Sequence, residues 1–119
     1  MARIELNRHA EADPAGVALL LSGPVGRELW PGAAARFGAP VRSGVGFVVE
    51  VSAQAGADGE AGLMAQGHVG ISPGDTGSGA SELRLVLRAP GSPTARLTAD
   101  ADRFLEALAD AAQERSSAA

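Results

Sequence analysis

The sequence predicts an α+β fold: an antiparallel β-meander of three to four strands packed against two or three helices, one of them C-terminal. Three observations carry that expectation. Three runs between residues 45 and 88 alternate apolar and polar side chains, the period of strands with one buried face. The last run of the chain instead places Ala101, Phe104, Leu105, Leu108 and Ala112 at helical spacing. A length of 119 residues fits one domain with a single core, so 1–119 is read as one unit.

Taken in order, residues 3–7 read as a short strand or an extended arm, within a flexible arm over 1–12. Asp13-Pro14 signals a helix start, because Asp can cap and Pro suits the first helical position. A short helix over 14–21 follows, ending at Gly23-Pro24. Ser22 is read as the cap of a second helix over 24–37, with Val25, Leu29 and Ala33 on one stripe and Trp30, Ala34 and Phe37 beside it. Pro31 removes a hydrogen bond from such a helix, which predicts a kink or a break at Trp30-Pro31-Gly32.

Beyond Gly38-Ala39-Pro40 the period changes to two. Val45, Phe47, Val49 and Val51 share a face opposite Glu50 and Ser52. Leu63, Ala65, Val69 and Ile71 alternate with Met64, Gln66 and His68. Leu83, Leu85 and Leu87 alternate with Glu82, Arg84 and Arg88. Gly56-Ala57-Asp58-Gly59 is a turn signal between the first two runs. Residues 73–81 carry no apolar anchor and read as an exposed, flexible loop. Thr98 is placed as the cap of a final helix over about 99–114, with Asp100 and Asp102 in its first turn and a frayed tail over 116–119.

Composition narrows the function classes. Fourteen acidic residues against ten basic ones leave a net charge of −4, which argues against general nucleic-acid binding. The absence of cysteine removes disulfides and thiolate ligands and fits a cytoplasmic or virion setting. The start of the chain lacks a basic segment followed by an apolar one, so no secretory leader is expected, and the run Val17–Leu21 is far too short to span a bilayer. Three Phe and one Trp make a thin core, to which burial in an assembly would add stability.

Candidate chemistry is sparse. His9 and His68 are the only imidazoles, with no metal-ligand spacing around them. Ser22 and Ser43 lack the Gly-x-Ser-x-Gly elbow of hydrolases, and the glycines of 70–79 lack the lysine of a phosphate loop. No catalytic, cofactor or metal residue is expected, and the chain is read as a non-enzyme. Interface residues are the better candidates. Arg84 and Arg88 share an outward strand face and, with Arg36 and Arg42, form a basic patch. Asp102 and Glu106 sit one turn apart on the last helix, an acidic surface suited to a basic neighbour. Trp30 is a core anchor by default and an interface anchor by alternative. Arg3 in the arm and Asp75 in the loop complete the set.

The N-terminal run Met-Ala-Arg-Ile-Glu-Leu-Asn, followed by Gly-Val-Ala-Leu-Leu-Leu-Ser-Gly-Pro-Val-Gly-Arg-Glu-Leu, resembles the neck or tail-completion proteins of long-tailed actinobacteriophages, also described as head-to-tail connector, minor capsid or morphogenesis proteins. Gly44-Val45-Gly46-Phe47 to Val51 sits where such proteins place a strand, and the likeness covers roughly residues 1–72. The resemblance implies a structural virion protein in the neck, made in the host cytoplasm. It implies a homo-oligomeric ring, sixfold or twelvefold, that joins the portal or adaptor to the tail terminator or tail tube. It brings no catalytic residues, cofactor, membrane or specific nucleic acid. The alternative is a small bacterial accessory or immunity-type protein-binding module.

Overall fold

Residues 2–10 alternate apolar and polar side chains except at Arg8, which takes an inward position opposite Leu83, and they build an edge strand of a sheet. In the computed structural model, which describes residues 2–30, 35–54, 64–74, 79–89 and 95–117, β1 (Ala2–Ala10) turns Ile4, Leu6 and Ala10 inward and Arg3, Glu5, Asn7 and His9 outward. It pairs antiparallel with β6 (Ser81–Ala89) along its whole length, Ile4 opposite Leu87 and Leu6 opposite Leu85. The arm expected over 1–12 is therefore a sheet edge. Its apolar alternation gains a partner only some eighty residues downstream, which local reading does not see.

Pro14 opens α1 (Pro14–Ser22) behind Asp13, as expected, although the Asp13 side chain makes no capping hydrogen bond. Val17, Ala18, Leu20 and Leu21 are buried. Gly23 breaks the helix, and α2 (Pro24–Leu29) starts directly after it. Gly26 has no room for a side chain, because a β-carbon there would run into the Leu21 carbonyl. That fit lets the α1–α2 corner close tightly. Gly23 rather than Ser22 caps α2, and the Ser22 hydroxyl instead donates to the Leu19 carbonyl.

The second helix ends at Leu29, not at residue 37. Trp30 is its C-cap in extended backbone, consistent with the break expected from Pro31. Residues 35–37, read from the sequence as helix, form β2 (Ala35–Phe37), followed by β3 (Val41–Ser43). Val25, assigned to the core stripe, is 42% exposed. The helical spacing of Val25, Leu29 and Phe37 was coincidental: pairing of Ala35–Phe37 with Ala53–Val51 overrides it.

The meander is as expected, with β4 (Gly46–Gln54), β5 (Met64–Pro73) and β6 each antiparallel to the next, except that Val45, placed with Phe47, Val49 and Val51 on one face, lies in the turn before β4 and is exposed. The sheet order is β1-β6-β5-β4-β2, with β3 also on β4, so the sheet has six strands rather than three or four. Of the exposed loop expected over 73–81, Pro73 instead ends β5 opposite Ser81 of β6, and Ala80 and Ser81 are buried; positions 75–78, the turn at 56–59 and the last two residues lie outside the described residues. Thr98 does not cap α3 (Ala95–Ser117), which begins earlier, so Asp100 and Asp102 fall beyond its first turn.

The core lies between the inner face of the sheet and the three helices. Val49, Val51, Val69, Ile71, Leu83, Leu85 and Leu87 face Leu97, Phe104, Leu105 and Leu108 of α3. Trp30 and Phe37 both lean on the Phe104 ring at 5.2 Å between centroids, so three of the four aromatic side chains form one stack. Trp30 is 1% exposed, which makes it a core anchor and removes it from the interface candidates. The one fully buried polar side chain among the described residues is Ser81, whose hydroxyl donates to the Ala12 carbonyl and ties β6 to the β1–α1 link.

Candidate functional site

Strand register converts the sequence alternation into rows across the outer face of the sheet. One row runs Arg3, Arg88, Gln66, Ser52 and Arg36, from β1 to β2. The next runs Glu5, Val86, His68 and Glu50, and a third Asn7, Arg84, Gly70 and Val48. Arg84, Arg88 and Arg36 thus share the outward face, as expected, and register adds Arg3. Arg42 does not join them. It stands opposite Phe47, an inward position, so β3 carries it on the other side of the sheet.

Within the face, charges are partly paired. Glu5 receives Arg3 at 3.1 Å and Arg84 as well, bridging two rows. Each of these side chains stays a third or more exposed, so the pairs add little stability and mainly fix where the guanidinium groups point. No ion pair holds Arg88 or Arg36 among the described residues. These two remain available.

His9 ends the face at the β1 edge. Its Nδ1 lies 2.8 Å from Glu82 and its Nε2 lies 2.7 Å from Glu11. The hydrogen bond to Glu82 and then that to Glu11 raise the His9 pKa above its usual 6.5, because both ring nitrogens donate only in the imidazolium form. A raised folded-state pKa means that this stabilisation is fully present below about pH 6.5 and fades as pH rises through the folded value. We expect the Tm difference between the protein and His9→Gln to be largest in that acidic range and to shrink toward alkaline pH. A pH series of thermal melts reads it, and a difference that grows with pH contradicts the clamp. Among the described residues no group of three or more His, Asp or Glu is arranged to hold a metal ion.

The opposite side of the molecule is acidic. The exposed side of α3 carries Asp102, Glu106, Asp110 and Glu114, against Arg103 and Arg115. Asp102 is not wholly free for a neighbour, since Arg8 of β1 holds it at 3.2 Å. Glu106 is exposed and unpaired among the described residues. Asp75 lies outside the described residues. Of the interface candidates, the structure thus gathers Arg3, Arg84 and Arg88 on one face and places Asp102 and Glu106 on the opposite one. Sequence reading missed the His9 clamp and the place of Arg3 beside Arg88, because both depend on strands far apart in sequence.

A third feature sits at the free edge of β2. An open pocket of about 380 Å³ is lined by Leu21, Ser22, Gly23 and Pro24 from the α1–α2 corner and by Arg36 and Phe37.

The architecture defines an α+β class in which a six-stranded antiparallel sheet is closed on its inner face by two short helices and one long C-terminal helix. Neither a protein-family model nor a curated protein sequence matches the chain. Solved structures do share the fold. A protein of Nitrosospira multiformis superposes with a TM-score of 0.62 at 10% identity, covering 97% of this chain and 99% of its own. A Chromobacterium violaceum protein gives 0.59 at 15% identity, covering 95% and 99%. The Aha1 dimer of Colwellia psychrerythraea gives 0.55 at 17% identity, covering 95% and 97%. At these identities the likeness is one of fold.

Proposed function

We propose that this chain is a non-catalytic docking module that binds protein partners, further copies of itself included, through two oppositely charged faces. The observation that carries the reading is the segregation of charge. In a chain of net charge −4, Arg3, Arg36, Arg84 and Arg88 outnumber Glu5, Glu50 and Glu82 on the outer sheet face. The acidic side of α3 points the other way, because α3 covers the inner face of the same sheet. Complementary faces on opposite sides of one subunit favour head-to-tail contacts, which close into rings when the rotation allows.

The setting that the N-terminal resemblance supports is the phage neck, where such a ring would lie between the portal or adaptor and the tail terminator or tube. A second setting is an accessory or immunity-type binding module; the Colwellia structure of the same fold, solved as a dimer, favours it. Light scattering of the purified chain, alone and with a portal or tail-tube protein, separates the two. A ring, alone or with the partner, supports the neck setting, and a dimer indifferent to those partners supports the accessory module.

Charge reversal tests the docking faces themselves. Arg88→Glu and Glu106→Arg are each expected to weaken association, and the double variant to recover it in part, since the reversed faces again attract. Raising salt should weaken the unmodified assembly, because exposed charges are screened over about 8–10 Å at ordinary ionic strength. A strict monomer whose mass ignores salt, partner and both reversals overturns the proposal.

A further inference from the structure

The pocket at the β2 edge shares Arg36 with the outer face and adds apolar lining and a packed floor that docking by the charged faces does not use. Its walls are apolar, built from Leu21, Pro24 and the half-buried ring of Phe37. Its floor is rigid: Phe37 stacks on Phe104 with rings 19° apart, and Leu21 is 1% exposed. Arg36 is the one cationic residue in its lining among the described residues, and no ion pair engages it there. The Ser22 hydroxyl already donates to the Leu19 carbonyl, so toward the pocket it can only accept a hydrogen bond.

We propose that this pocket binds a small organic monoanion, a carboxylate on a flat or short apolar body. The volume of about 380 Å³ lies in the range of small-molecule sites. Apolar walls around a single cation select an amphipathic ligand. The planar fork of Arg36 matches a carboxylate through two parallel hydrogen bonds. Phe37 offers a ring edge and face for the apolar body to cover. A phosphate group, doubly charged and strongly hydrated, would need more than one donor cation, and among the described residues the lining supplies Arg36 alone. The site is separate from the space between α3 and the sheet, which Trp30, Phe104, Leu105 and Leu108 fill.

The test is a titration of the whole chain with benzoate, followed by amide and aromatic NMR shifts and by calorimetry. Benzamide, of the same shape without charge, is the control for the carboxylate, and inorganic phosphate the control for anions in general. Saturable shifts at Gly23 and Phe37 are expected with benzoate. Arg36→Gln should weaken binding about tenfold or more, the value of one lost charged hydrogen-bond pair, and leave the melting curve unchanged because Arg36 is exposed. Equal binding of benzamide overturns the proposal, as does tighter binding of phosphate. Shifts that centre on Arg84 and Arg88 overturn it too, as does the absence of saturable shifts at millimolar benzoate.

Discussion

Phe104→Ala is expected to destabilise the protein by about 3–5 kcal/mol, the usual cost of removing a buried aromatic ring. Phe104 is fully buried, and its ring is the middle member of the Trp30–Phe104–Phe37 stack. Deleting it leaves a cavity bordered by two aromatic rings that are fixed from behind. Trp30 is held as the C-cap of α2, and Phe37 by the pairing of β2 with β4. Neither can move far to fill the gap, which puts the loss toward the upper end of that range. Domains of this size have about 5–15 kcal/mol in total, so the variant should lose a large share of its stability. Urea denaturation followed by fluorescence reads this directly, because Trp30 is the only tryptophan and touches the altered site. A loss under about 1 kcal/mol would mean that the stack is not a structural centre. Phe104→Leu should cost clearly less, since most of the volume is retained.

The second large effect is expected at Gly67, in the middle of the sheet. A β-carbon there would fall inside the Val86 carbonyl group of the neighbouring strand. The position faces inward, opposite Leu87 on β6 and Val51 on β4. At this point the backbone of β6 occupies the space that a side chain would need, a close backbone approach that a glycine within a strand permits. The obstacle is backbone, which cannot rotate away as a side chain can. Gly67→Ala should therefore push β5 and β6 apart and cost about 3 kcal/mol, the upper end of ordinary overpacking penalties. Gly70→Ala is the matched control on the same strand. Its β-carbon would meet only the Arg84 carbonyl oxygen at 3.8 Å, ordinary contact, and a change within about 0.5 kcal/mol is expected. Parallel urea titrations of the two variants decide the matter; similar losses at both positions would show that general glycine effects, and not the close approach of β6, are responsible.

Both effects arise at residues whose importance depends on distant partners, and the same division runs through the whole chain. The meander was legible because each strand alternates over many residues and its partner follows directly. The body of α3 was legible for the same local reason: Ala101, Phe104, Leu105, Leu108 and Ala112 repeat at the helical period. Asp13-Pro14 marked the start of α1 because a proline at the first helical position loses nothing.

What the sequence left open are the properties set by contacts between remote segments. Ala35-Arg36-Phe37 fits a helical stripe as well as a strand, and only the free edge of β4 makes it a strand. Residues 2–10 read as an arm until β6, more than seventy positions away, supplies hydrogen-bond partners. Trp30 could serve core or interface by its chemistry; its position between α2 and α3 settles it as core. Among the candidate site residues, alternation placed Arg84 and Arg88 outward, but register alone set Arg3 beside Arg88, put Arg36 at the far end of the same row three strands away, and sent Arg42 to the other side. His9 gained its two carboxylate partners in the same way: Glu11 is near it in sequence, and Glu82 arrives only through the β1–β6 pairing. Local periodicity and capping chemistry determine which segments become strands or helices. Pairing between distant strands, whose outcome depends on the whole core being packed at once, decides which side chains meet.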